Sequence, residues 1–159
     1  MARALKLSLV AVGALALIAA TVAAQAKDPV IGTWVLNLAK SKFNPGPAPK
    51  SGTRTYSMSG TMVKSVIDQV GADGKATTDG YTAAYDGKDY PFTGSGTADM
   101  IALTRVDANT VDASLKKSGK EVSHTHRVIS KDGKTMTLTT NGTGANGEKV
   151  NNVVVFDRK

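Results

Sequence analysis

The chain contains no cysteine. That excludes disulfides, a thiol nucleophile, thiolate metal ligands and any lipid attached at a cysteine. Histidine is nearly as scarce: His124 and His126 are the only two. Aromatic residues make up 5% of the sequence, with one tryptophan, four tyrosines and three phenylalanines, so few large side chains are on hand to fill a core. No G-x-S-x-G string is present, since Gly94-Ser95-Gly96 lacks its frame. No glycine-rich loop opens a helix, so no phosphate cradle of that kind is implied. Beyond the N-terminus no hydrophobic run is long enough to span a bilayer, and no segment carries an amphipathic helix.

The first residues read as an export leader. Arg3 and Lys6 give a short positive region, Leu7 to Ala24 is almost wholly apolar, and Ala24-Gln25-Ala26 is a small-residue cleavage signal. Residues 1–26 are therefore expected to be a secretory signal peptide, and 27–159 a single domain in the periplasm or outside the cell. The formal net charge is +7, with the basic residues dispersed and not gathered in a run. That describes a solvated surface better than a nucleic-acid partner, and export argues against nucleic acid as well.

After the leader, turn signals recur. Asp73-Gly74, Asp86-Gly87, Ser118-Gly119, Asp132-Gly133 and Asn146-Gly147 are dipeptides that tolerate the positive φ of tight hairpins. Asp107-Ala108-Asn109, Gly94-Ser95-Gly96 and Asn141-Gly142-Thr143 read as further turns, the last despite matching a glycosylation sequon. Between the turns the chain alternates. Val111, Ala113 and Leu115 oppose Asp112, Ser114 and Lys116; Met136 and Leu138 oppose Thr135, Thr137 and Thr139. A period of two, rich in threonine and valine, marks strands.

Ten strands are expected, near 32–37, 53–58, 62–70, 75–85, 89–93, 100–106, 110–116, 120–130, 134–141 and 149–157. Pro91 makes the fifth an edge, a bulge or a corner. An antiparallel series of so many strands removes its edges by closing, so the expected fold is all-β, an up-and-down barrel of about 8–10 strands. A sandwich with long crossovers is the alternative. Candidate inward residues are often small (Ser65, Ala83, Ala102, Ala113), which favours an interior with space for one small ligand.

Gly32-Thr33-Trp34 opens the first of these strands and resembles the G-x-W motif of the lipocalin and fatty-acid-binding-protein (calycin) superfamily. The resemblance implies a tryptophan packed across one barrel end, a glycine permitting tight entry to the strand, and a basic residue, here Arg158, covering the indole. The longer phrase Trp34-Val35-Leu36-Asn37, Lys40-Ser41-Lys42-Phe43, Pro45-Gly46-Pro47-Ala48-Pro49 resembles the start of secreted, lipocalin-like bacterial proteins. Two departures stand out. The helical lid of fatty-acid-binding proteins is incompatible with Pro45, Pro47 and Pro49, so an extended proline arm is expected to cross a barrel end. Their Arg-x-Tyr pair on the last strand falls here on Val154 and Phe156.

Candidate ligand-binding residues are Tyr81, Tyr85, Arg105, His124 and His126. Tyr81 and Tyr85 share a face with Ala83; Arg105 shares one with Ile101 and Leu103 and so points inward in this reading. His124 and His126 lie two apart on a strand, about 6.5–7 Å along one face. They could begin a metal or haem site but lack a third ligand, and a polar pair on the barrel wall is the simpler account. Arg127 lies beside them on the opposite face. No catalytic set is evident, and no cofactor or metal is called for. The expected function is binding of a small apolar or amphipathic molecule inside the barrel. The alternative is a filled barrel whose loops or proline arm contact a protein, such as an envelope partner or a protease to be inhibited.

Overall fold

A computed structural model describes residues 27–144 and 146–159; the leader expected over 1–26 lies outside the described residues. The described chain forms ten strands: β1 Gly32–Leu36, β2 Ser51–Ser59, β3 Met62–Val70, β4 Ala76–Ala83, β5 Asp86–Thr93, β6 Met100–Arg105, β7 Thr110–Lys117, β8 Lys120–Ile129, β9 Thr135–Thr143 and β10 Lys149–Arg158. Each pairs antiparallel with its sequence neighbour, and β1 pairs with β10, which closes the barrel. The only helical piece among the described residues is a single 3-10 turn, Leu38–Lys40. No helix among them is long and apolar enough to cross a membrane.

One barrel end is closed. Trp34 is completely buried and its indole N–H donates to the Val30 carbonyl at 2.7 Å. Arg158 stands opposite Trp34 in the β1–β10 register, with its guanidinium carbon 4.1 Å from the indole ring centre. That guanidinium also donates to the carbonyls of Ile31 (2.9 Å), Gly133 (2.5 Å) and Pro29. Gly32 has φ +137°, and a Cβ there would lie 2.7 Å from Arg158 Nη1; only glycine leaves room for the arginine to settle. Val30, Val63, Leu103, Val111 and Met136, all buried, complete the plug.

The other end is crossed by the proline arm. Lys42 bridges to Val153 on β10. Asn44 accepts from the Asn151 N–H at 2.6 Å and its own N–H donates to the Asn152 side chain at 2.7 Å. The chain then reaches β3, where the Lys50 N–H donates to the Val70 carbonyl at 2.8 Å. A proline-rich segment has few N–H groups to satisfy, so it can span the mouth without a helix or a strand partner.

Three local expectations differ. Asp86-Gly87 is not the hairpin between β4 and β5: it begins β5, where the register with β6 shifts between Asp86 and Asp89, so its positive-φ glycine serves a bulge. Asn141-Gly142-Thr143 ends strand β9; a Cβ on Gly142 would lie 2.5 Å from the Val122 carbonyl oxygen, so close strand approach selects the glycine. Ala102 lies on the outer face, because its neighbour Leu103 is the one paired with inward Ala113. Pro91 sits where the β4–β5 ladder has only two paired rows, Gly80↔Thr93 and Tyr81↔Phe92. Phe92 donates to Asp99 on the β6 side, so Pro91's missing donor faces β4, beyond the last paired row.

Candidate ligand-binding cavity

Along each strand, alternate residues face the barrel axis. On β2 these are Arg54 and Tyr56, on β3 Ser65 and Ile67, on β4 Asp79 and Tyr81, on β8 Ser123, Thr125 and Arg127. Two adjoining cavities occupy the interior. The outer one, about 330 Å³, lies under the arm and is lined by Phe43, Pro45, Pro47 and Pro49 together with Leu36, Val154 and Phe156. The deeper one, about 190 Å³, is bounded by Tyr56, Tyr81, Phe92, Leu103, Val111 and Arg127. Arg54, Ile67, Leu138 and Thr140 line both, so the two chambers share part of their walls.

The chambers differ in chemistry. The outer wall sets the prolines, Leu36, Phe43, Val154 and Phe156 beside Thr53, Arg54, Asp68, Gln69 and Asn152. The deeper chamber holds two guanidiniums. Arg127 is only 5% exposed; one of its terminal nitrogens donates to the Tyr85 hydroxyl at 3.2 Å, and its carbon lies 5.3 Å from the Tyr56 ring centre. Arg54 lies 5.4 Å from the ring centre of Phe156. Neither arginine has a carboxylate within ion-pair distance among the described residues. Both leave a buried Nε–H without a partner. The inward acid nearest to Arg54 by register is Asp79, two strands away. Burial raises its pKa despite the pull of Arg54.

Unpaired buried charge is costly, and native structures usually compensate it. Here phenols supply part of that compensation. Burial opposes the charge on Arg127, but Tyr56, Tyr81 and Tyr85 around it outweigh that and raise its pKa, so it stays cationic. Tyr56 shows the reciprocal effect. Burial works against its ionisation, yet the guanidiniums of Arg54 and Arg127 beside it bring its pKa below the ordinary tyrosine value. Tyr81 moves the other way, raised by burial and by neighbouring Tyr56. Thr125 and Thr140 add a hydroxyl pair, 2.8 Å apart, on the wall.

Of the residues singled out from sequence, Tyr81 lines the deeper chamber and Tyr85 supports it from behind, through Arg127. Arg105 shares the inward face of β6 but sits at the closed end. It pairs with Asp28 at 2.5 Å and stacks 3.9 Å from the Tyr85 ring centre, so it fixes the residues before β1 to the plug and does not reach the cavity. Burial works to raise the Asp28 pKa, but the Val30 N–H, Tyr85 and Arg105 outweigh it and hold the carboxyl below its ordinary value.

His124 and His126 lie on the outer wall, opposite Ser114 and Asp112 in the β7–β8 register. His126 Nδ1 is 2.6 Å from Asp112 Oδ1 and His124 Nε2 is 3.8 Å from it, and both rings are about half exposed. Their alternation partners Thr125 and Arg127 take the interior. The pair shares one face as expected, but that face is the outer one, so neither histidine lines the interior cavities as the ligand-binding expectation required. The sequence reading also passed over Arg54. The available signal was Arg54-Thr55-Tyr56, an arginine and a tyrosine on one strand face.

No protein-family model and no curated protein matches the chain. Among solved structures, one to which it is similar is the zebrafish ileal bile acid-binding protein in complex with cholic acid, with a TM-score of 0.47 and 11% identity over 82% of this chain and 99% of that one.

Proposed function

We propose that this barrel binds a small amphipathic molecule in its interior and carries it outside the cytoplasm. The observation that supports the reading best is the pair of adjoining interior cavities, whose walls set Leu36, Phe43, Val154 and the prolines beside the guanidiniums of Arg54 and Arg127 and the hydroxyls of Thr125 and Thr140. A ligand with an apolar body and a polar head finds partners for both on those walls. Affinity would come from burying the body, and orientation from a few convergent polar groups. The plug of Trp34 and Arg158 leaves the arm side as the entrance. The leader-like residues 1–26 support export to the periplasm or the exterior. The gathered groups are guanidiniums, phenols and hydroxyls, and the proposed role is that of a carrier, not a catalyst.

Native mass spectrometry of the protein purified from its secreting host tests this directly. A retained small molecule is the expected result. If repeated folded preparations carry nothing, and no amphiphile in a panel of alkyl carboxylates, sulfonates, phosphates and alcohols binds, the carrier reading is wrong.

A further inference from the structure

We infer that the deeper chamber is built for a doubly charged phosphate monoester head on an apolar tail, in preference to the singly charged head of a fatty acid. This rests on the carrier reading and narrows its ligand class. The argument is one of charge and donor count. Arg54 and Arg127 bring two permanent positive charges to one chamber, because a guanidinium does not deprotonate in proteins. No carboxylate pairs with either among the described residues. One carboxylate would balance one of them and leave the other without a counter-charge in the chamber. A phosphate monoester carries close to two negative charges at neutral pH and balances both.

The donors agree. Each arginine keeps a buried Nε–H without a partner, and Arg127, at 5% exposure, has nowhere else to direct it. Guanidiniums bind phosphate through paired N–H groups. A carboxylate has two oxygens to offer, whereas a phosphate monoester has three terminal oxygens. The third has Tyr56 and the Thr125–Thr140 hydroxyl pair within the same chamber. Arg54 also lines the outer chamber, so a head held there leaves its tail under Pro45, Pro47 and Pro49.

The test is calorimetric titration of the purified protein at pH 8 with four probes below their micelle-forming concentrations: dodecyl phosphate, dodecanoate, methyl dodecyl phosphate and inorganic phosphate. Dodecyl phosphate is expected to bind at least tenfold more tightly than dodecanoate and than the singly charged methyl diester. Inorganic phosphate alone should bind at least a hundredfold more weakly. If dodecanoate or the diester binds as tightly as dodecyl phosphate, the phosphate assignment fails while the carrier reading stands. If inorganic phosphate matches dodecyl phosphate, the tail contributes nothing and both fail; if no probe binds, both fail as well. Arg54→Gln and Arg127→Gln should each erase most of the tenfold preference. Because Arg127→Gln could disturb folding, a 31P spectrum of dodecyl phosphate bound to the unaltered protein gives a second readout. The bound head should remain dianionic at pH 6, and a monoanionic signal there would overturn the assignment.

Discussion

Arg158 lies over the indole of Trp34, 4.1 Å from the ring centre, although 123 residues separate them in the chain. The contact joins the first strand to the tenth at their plugged end, and three backbone carbonyls hold the guanidinium in place. Trp34→Ala is expected to lower stability by about 3–5 kcal/mol in urea unfolding, the range for emptying a buried aromatic site. Arg158→Ala should cost about 2 kcal/mol. Arg158→Lys should recover less than half of that, since an ammonium neither stacks nor serves three carbonyls in one plane. An unchanged midpoint for Trp34→Ala would remove the plug from this account.

Tyr56 and Tyr81 face the same chamber with opposite perturbations. Absorbance titration at alkaline pH should resolve Tyr56 ionising ahead of the other three tyrosines, all of which are raised, with Tyr81 latest. Tyr56→Phe should delete the early phase and Tyr81→Phe the late one. The sign for stability follows. The lowered pKa of Tyr56 contributes stability that is fully present above the unfolded value, about 10, and lost as pH falls through its folded pKa. The raised pKa of Tyr81 contributes stability below about pH 10 that is lost as pH rises through its folded value.

The Asp28–Arg105 pair ties the segment before β1 to β6. Its acid has a lowered pKa, so its stabilisation is complete above the unfolded carboxylate value of about 3.9 and lost as pH falls through the folded one. Asp28→Asn should therefore cost about 1 kcal/mol at pH 7, a modest figure because Arg105 is partly exposed. The difference from the unaltered protein should shrink towards zero by about pH 2. A gap that stays constant with pH would assign the effect to packing.

Phe43 holds the arm against the outer chamber. Phe43→Ala should speed dissociation of a bound fluorescent amphiphile by about tenfold, the equivalent of about 1.4 kcal/mol, with a small change in melting temperature. Stopped-flow displacement reads this. An unchanged off-rate would show that the arm does not retain ligand.

His124 and His126 give the opposite expectation. Replacing both with alanine should leave the affinity for any interior ligand within twofold, since their rings stand outside the wall. A large loss by calorimetry would mean that ligand binds on the outer face.

The strands were legible because alternation and turn chemistry agree: the expected 62–70 is β3, Met62–Val70, and the expected 149–157 differs from β10 by its last residue. The G-x-W motif was enough to put Arg158 over Trp34. What stayed hidden was parity. On β8 both faces carry polar residues, so nothing local says whether His126 or Arg127 turns inward; the pairing of Arg127 with Val111 and Leu138 decides it. Arg54 was missed for the same reason. A charged residue on a strand defaults to solvent unless its register partners, here Trp34 and Ile67, are known to face the core. Asp86-Gly87 shows a different limit, because the dipeptide that makes a hairpin also makes a bulge.

The β1–β10 seam has a consequence for how the molecule is made. A chain delivered N-terminus first can form the hairpins from β2 to β9 as they emerge. β1, however, waits with half its ladder open until Leu36, Val35 and Trp34 meet Phe156, Asp157 and Arg158. Until then Trp34 lacks its cover, and the edges of β1 and β10 are open to stray strand pairing. The β1–β10 seam is thus the last pairing for which both strands become available. A chain ending before Arg158 would keep the Val35–Asp157 and Leu36–Phe156 rows but leave Trp34 without its guanidinium cover.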